Sequence, residues 1–162
     1  MLSYFTRLQP TASARSVTLA GLGSLVAIAS LALITDTTNL SLMMAPFGAS
    51  CVLLFSVPNS PLSQPANVIG GHILSAIIGL SLRALLPDVW WAAGLAVGIA
   101  IAAMAALRIT HPPAGANPLV IFAGDPEIGF LLMPVLSGAG ILVAGATVFH
   151  RLSGTPYPMR KP

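Results

Sequence analysis

Apolar residues run in long uninterrupted blocks along this chain, separated by short stretches that hold nearly all of its charge. Four blocks are long enough to be membrane-spanning helices: Val17–Ile34, Ala66–Leu86, Val89–Leu107 and Ile128–Phe149. About 20 apolar residues at 1.5 Å each cross the hydrocarbon core. Two further apolar blocks differ. Leu40–Val57 is broken at Pro46-Phe47-Gly48, and Pro112–Ala123 carries Pro112, Pro113 and Pro118. As a helix the second would reach only about 18 Å, and its prolines remove helix hydrogen bonds. Both blocks are expected to be re-entrant: extended backbone entering the membrane and a short half-helix leaving it. Such backbone survives at membrane depth only where protein or a wet cavity surrounds it.

An internal repeat is expected. With Pro46 set over Pro113, Pro46–Phe55 and Pro113–Phe122 share four of ten residues, and three more positions exchange one aliphatic for another. Upstream, Ala20-Gly21-Leu22 lies over Ala93-Gly94-Leu95. The unit is helix, re-entrant element, helix, used twice over residues 15–86 and 88–150, with short cytoplasmic tails at 1–14 and 151–162. The fold class is thus all-α, one transmembrane domain of four spans and two re-entrant elements. Transporters often place their site where two such repeats meet.

Composition supports a bilayer over water. Hydrophobic residues make up 56% of the 162 and charged residues 7%, against about 25% charged in soluble domains; mean hydropathy is +0.90. The net charge of +3 is spread singly at block ends, which reads as topology and not as a nucleic-acid footprint. Cys51 is the only cysteine, so an internal disulfide and a cysteine-based metal site are excluded. Arg7 and Arg15 precede the first block, which is longer than a signal-peptide core and is expected to stay as a helix. With the N-terminus cytoplasmic, four spans put Arg83, Arg151, Arg160 and Lys161 inside, and Asp36, Arg108, Asp125 and Glu127 outside. Trp90 and Trp91 suit an interfacial belt.

Candidate chemistry is concentrated in the two broken blocks. Asn117-Pro118 resembles a helix start, with Ser50 the aligned cap type in the first repeat. Gly48 and Gly115 permit a tight bend, with Ala49 and Ala116 beside them. Two half-helix N-termini would then offer free N–H groups to an anion without burying a full charge. Arg108 and His111 lie upstream, where one could steer an anion and the other hydrogen-bond it or take a proton. His72 and Asn67, one turn apart in the second span, are polar groups at membrane depth and therefore functional candidates. The plainer alternative is a neutral histidine on a backbone carbonyl and an asparagine joining helices. Gln64 is placed at the outer end of that span, Arg83 reads as a snorkelling anchor, and Asp125-Pro126-Glu127 reads as the cap of the last span.

Thr110-His111-Pro112-Pro113-Ala114-Gly115-Ala116-Asn117-Pro118 resembles the signature of the HPP family of integral membrane proteins. Ala45–Ser50 and Gln64–His72 are similar to that family as well, so the likeness covers roughly 15–149. The resemblance implies four spans and a small inorganic anion as substrate, nitrite having been assigned to cyanobacterial and plastid members. The expected protein is a small-anion transporter or channel of a bacterial inner membrane, with no cofactor and a homo-oligomeric assembly. Its anion would lie among Pro46, Gly48, Ala49, Ser50, Asn67, His72, Arg108, His111, Pro112, Pro113, Gly115, Ala116 and Asn117. A non-transporting membrane subunit or sensor that docks a partner protein is the alternative. An intramembrane enzyme is disfavoured, since no HExxH, GxSxG or paired carboxylate stands in the spans.

Overall fold

The structure is a computed structural model that describes residues 5–159. The expected inside placement of Arg160 and Lys161 lies outside these residues. Among the described residues six α-helices form the fold: α1 (Ala14–Thr38), α2 (Pro46–Ser56), α3 (Pro65–Leu85), α4 (Trp90–Ala106), α5 (Asn117–Gly124) and α6 (Ser137–Ser153). No strand occurs among the described residues. Ser13 caps α1 by accepting from the Ser16 amide, and Asn39 ends it in the left-handed region at φ 58°. Within α1 the hydroxyls of Thr18, Ser30 and Thr37 donate to carbonyls four residues back. That hides polar groups on a helix whose outer face is apolar: Val17 is 60% exposed, Leu25 64% and Leu33 63%. Such a face suits lipid and not water.

Among the described residues three helical stretches are long and apolar enough to cross a membrane: Ala14–Thr38, Pro65–Leu85 and Ile128–Ser153. The expected fourth, Val89–Leu107, is the 17-residue α4, about 25 Å long against a core of about 30 Å. The last stretch is also not one regular helix. Ile128–Leu131 is a 3-10 turn, and Leu132–Leu136 is a wide turn in which Met133 leaves helical geometry (φ −134°, ψ 118°) beside buried Pro134. Asp125 does not cap it. That residue closes α5 in the left-handed region, and its carboxylate pairs with Arg83 at 2.9 Å.

The helix ends overturn the expected topology. Arg15 at the start of α1 donates to the Ser153 carbonyl at the end of α6. His150 of α6 contacts the Leu54 carbonyl of α2. Tyr157 donates to the Ser63 carbonyl, and Gln64 accepts from the Met159 amide. Burial pushes the Tyr157 phenol well above its ordinary range, which keeps it a neutral donor. One end of the bundle therefore holds the start of α1, the end of α2, the start of α3 and the end of α6. The opposite end holds Arg83 of α3 against Asp125 after α5. A four-crossing chain would put Gln64 and the end of α6 on opposite faces, and Arg83 and Asp125 likewise.

Neither broken block folds back on itself. The first leaves the end of α1 and finishes beside Ser63 at the other end, because Ser63 donates to Leu53 and Val57 carbonyls. The second begins at His111, bonded to the Leu62 carbonyl, and finishes at Asp125. Extended backbone supplies the missing length, at about 3.3 Å per residue against 1.5 Å in a helix. Charge is sorted by this arrangement. All four acids, Asp36, Asp88, Asp125 and Glu127, fall at the Arg83 end. Arg15, Arg151 and the Arg108 turn, which follows α4 and leads to Thr110 on Asn67, fall at the other.

The two short helices occupy the interior. Phe47, Cys51, Leu54 and Phe55 of α2 pack with Ala27 and Leu31 of α1 and with Ala139, Leu142 and Ala146 of α6. Gly23 and Gly138 make room for the Phe55 and Phe47 rings, which fill the space their Cβ atoms would take. Ile121 of α5 packs on Ala76 of α3 and on Val135, and Phe122 packs on Ala92 and Ala96 of α4. Gly79 lets α5 approach, since a Cβ there would meet Pro118 Cα at 3.1 Å.

Candidate functional site

Where α2, α3 and the His111–Asn117 turn meet, the buried polar side chains join one network. Ser50 stands at its centre on α2. Its Oγ lies 2.9 Å from His72 Nε2 and 2.9 Å from His111 Nε2. His72 reaches on through Nδ1 to Asn117 Oδ1 at 3.2 Å, and Asn117 Nδ2 donates to the His72 carbonyl at 3.0 Å. His111 ends the line with Nδ1 at 2.8 Å from the Leu62 carbonyl. Ser50, His72, His111 and Asn117 are each fully buried, at 0% exposure. The Phe47 ring closes one side of His72 in a T-shaped contact, with ring centroids 5.2 Å apart, and the two imidazoles also meet T-shaped, at 5.1 Å.

The local sequence explains the placement. His72 sits on a face of α3 kept bare by Gly71, whose absent Cβ would lie 2.8 Å from His111 Cβ and 3.1 Å from the Ile109 carbonyl. That close approach seats the His111 strand on α3. Pro112 and Pro113 then turn the chain into a 3-10 segment, Pro112–Ala116, which runs into α5. Ser75, one turn beyond His72, donates to the Ala114 carbonyl at 2.6 Å and pins the turn. Asn67, five residues before His72, donates to the Thr110 carbonyl at 2.9 Å.

Six of the expected site residues meet here or support it directly: Ser50, His72, His111 and Asn117 in the network, Pro46 through its carbonyl 3.3 Å from Ser50 Oγ, and Asn67. The others lie apart. Gly48 and Ala49 face outward on α2. Arg108 is exposed, in the left-handed region at φ 59° that ends α4. Pro112 is exposed and Pro113 buried, while Gly115 and Ala116 are half-buried.

The expected amide cradle takes a different form. α2 begins at Pro46 and not at Ser50, and the amides of Phe47 and Gly48 already donate to Met44 and Ala45. The Ala114 and Asn117 amides donate to His111 and Ala114. Asn117 is no side-chain cap; its amide group is turned to His72. Neither Gly48 nor Gly115 adopts positive φ. The polar face offered here is thus made of side chains. Sequence reasoning missed Ser75 and the Leu62 carbonyl. Ser75 stands three residues after His72, on the same helix face, and that spacing was a usable signal; nothing in the residue type marks the Leu62 carbonyl.

On their outer side the same elements wall a groove of about 640 Å³, lined by Pro46, Ala49 and Val52 of α2 and by Pro112, Ala116 and Leu119 opposite. It is almost wholly apolar and lies one residue in sequence from Ser50 and from His111.

A helical chain with lipid-compatible outer faces and a buried polar junction is an integral membrane protein. It belongs to the HPP family: residues 9–158 match the family described as HPP, transmembrane region. Two transmembrane proteins of Dictyostelium discoideum are similar. One is 36% identical over 123 residues, covering 71% of this chain and 43% of the relative. The other is 33% identical over 119 residues, covering 68% and 38%. The match thus takes in less than half the length of either relative. No solved structure matches the chain.

Proposed function

We propose that this protein is a transporter or channel for small monovalent anions, nitrite among the candidates, and that the anion passes the junction of α2, α3 and the His111–Asn117 turn. The observation that carries this reading is the Ser50–His72–His111–Asn117 network, buried at the meeting point of the two broken blocks. Ionisable groups at membrane depth are costly and mark ion pathways by default. The anion contacts are the side-chain hydroxyl and imidazoles, since the helix-start amides are taken. The groove along Ala49 and Pro112 forms the approach.

The helix ends support a finer arrangement. Each apolar block runs from one end of the bundle to the other, α2 and α5 with help from extended backbone. Arg15, Arg108 and Arg151 then face the cytoplasm together with both termini. Arg83, on the far side, is neutralised by Asp125. The order long helix, short proline-led helix, long helix occurs twice, over 15–86 and 88–150, in keeping with a duplicated unit. A second copy of the chain would cover the open side of the apolar groove, so the working form is a homo-oligomer of a bacterial inner membrane.

A binding experiment tests this. A ligand that binds the folded state raises its melting temperature by mass action. Nitrite, nitrate, formate, chloride and sulfate are titrated against the purified protein in detergent. A saturable rise with a monovalent anion, lost in His111→Ala, is expected. Identical melting in every anion would refute the site.

A further inference from the structure

The buried network has more links than protons. The Leu62 carbonyl only accepts, so His111 Nδ1 carries a proton. Asn117 Nδ2 donates to the His72 carbonyl, which fixes Asn117 Oδ1 toward His72 Nδ1. That oxygen only accepts as well. Between these two acceptors run four links: Asn117–His72, His72–Ser50, Ser50–His111 and His111–Leu62; Ser50 Oγ also has the Pro46 carbonyl at 3.3 Å, longer than the 2.9 Å contacts to the imidazoles. Each link needs one proton. Two neutral imidazoles and one hydroxyl bring three.

Every neutral assignment leaves a gap. If Ser50 donates to His111, His72 has one proton for two oxygen partners. If Ser50 donates to His72, then His111 Nε2 faces the Ser50 oxygen with no proton between them. A fourth proton, converting one imidazole to imidazolium, fills all four links when the Ser50 hydroxyl is turned to an imidazole at 2.9 Å and away from the Pro46 carbonyl at 3.3 Å.

Charge decides what accompanies that proton. Around the two histidines, α2 brings the Phe47 ring and, one residue from Ser50, the Cys51 thiol. α3 brings Ser75, committed to Ala114, while its Arg83 is paired with Asp125. α4 carries no titratable residue, and α5 brings only neutral Asn117. On α6, His150 contacts the Leu54 carbonyl and Arg151 is exposed. Arg108 is exposed in its turn. An imidazolium here therefore has no counter-charge, and a lone anion would have none either. Each alone meets a heavy desolvation penalty. Together they are neutral.

We propose that the Asn117–His72–Ser50–His111–Leu62 chain is a proton-binding site, and that the protein carries one monovalent anion together with one proton. The second half rests on the transport reading above; the first does not. The proton comes from water on the loading side and leaves to water on the other, so no other co-reactant is needed.

Two measurements on the full chain test this. ¹⁵N-histidine NMR in lipid nanodiscs follows the tautomer and charge of His72 and His111 with pH, with His150 assigned through His150→Gln. Anion flux into proteoliposomes is driven either by a pH gradient or by a potassium-diffusion potential. One imidazolium per chain is expected, with its proton affinity lowered tenfold or more in Ser50→Ala, and with uptake driven by an acidic exterior and indifferent to potential. An imidazolium without uptake of any anion keeps the proton site and overturns the transport reading. Uptake driven by potential and unchanged by a pH gradient, with both imidazoles neutral until unfolding, overturns the proposal and leaves transport standing.

Discussion

Replacing Ser50 by alanine removes one oxygen from the centre of the network and little else. The α2 backbone is unaffected, since alanine is a better helix former than serine, and no apolar surface is lost. The cost comes from the partners. Both imidazole Nε2 atoms lose a contact of 2.9 Å in a fully buried site. A buried polar group left unsatisfied costs about 1–3 kcal/mol, so two cost about 2–6 kcal/mol, less whatever the rings recover by closing the gap. Propensity returns only a few tenths of that, about 0.5 kcal/mol at most. Melting in detergent, followed by loss of the monodisperse species on size exclusion, reads the difference against wild type and against Ser56→Ala, an exposed serine on the same helix. A Ser50→Ala protein as stable as the Ser56→Ala control would mean that the hydroxyl does not hold the two histidines, and the network would have to be abandoned.

Other expectations follow from single contacts. Gly71→Ala forces the His111 strand off α3, because the new Cβ would lie 2.8 Å from His111 Cβ and 3.1 Å from the Ile109 carbonyl; overpacking of about 1–3 kcal/mol outweighs the gain of up to about 1 kcal/mol in helix propensity, and thermal melting reads the loss. Gly94→Ala meets open space and should gain about 0.5–1 kcal/mol in the same assay. Asp125→Asn breaks an ion pair whose carboxylate side is 67% exposed and should cost under about 1 kcal/mol, visible as a small shift that salt abolishes. In a Cys51→Ala background, Asp88→Cys and Glu127→Cys should react with an impermeant maleimide from one face of the membrane and Thr155→Cys from the other; labelling of 88 and 127 from opposite faces would restore the four-crossing topology.

Much of this was legible from the residues, and the failures have definite causes. The apolar blocks located α1, α3 and α4 within a few residues, because a lipid-facing helix must be apolar along its whole length. His72, His111, Asn117 and Ser50 stood out as polar groups in apolar blocks, and they converge. Crossing was misjudged because length was counted at helical rise alone, and 39–45 and 107–111 are largely extended or turning. Arg83 was assigned to the wrong end because basic residues were counted one by one; its partner, Asp125, is distant in sequence. The amide cradle failed for a local reason: the turns before α2 and α5 use the amides that a bare helix start would leave free. Asn117 beside Pro118 looked like a cap, yet its side chain is drawn away by the His72 carbonyl and imidazole.

Uptake of nitrite by proteoliposomes of the purified chain, with nitrate, formate and chloride as competitors, tests the central claim most directly. Saturable uptake that is displaced by another monovalent anion, and that falls at least tenfold in His72→Ala or His111→Ala protein that still elutes as a folded species, is the expected result. Absence of uptake of any of these anions by folded, correctly inserted wild-type protein would contradict it.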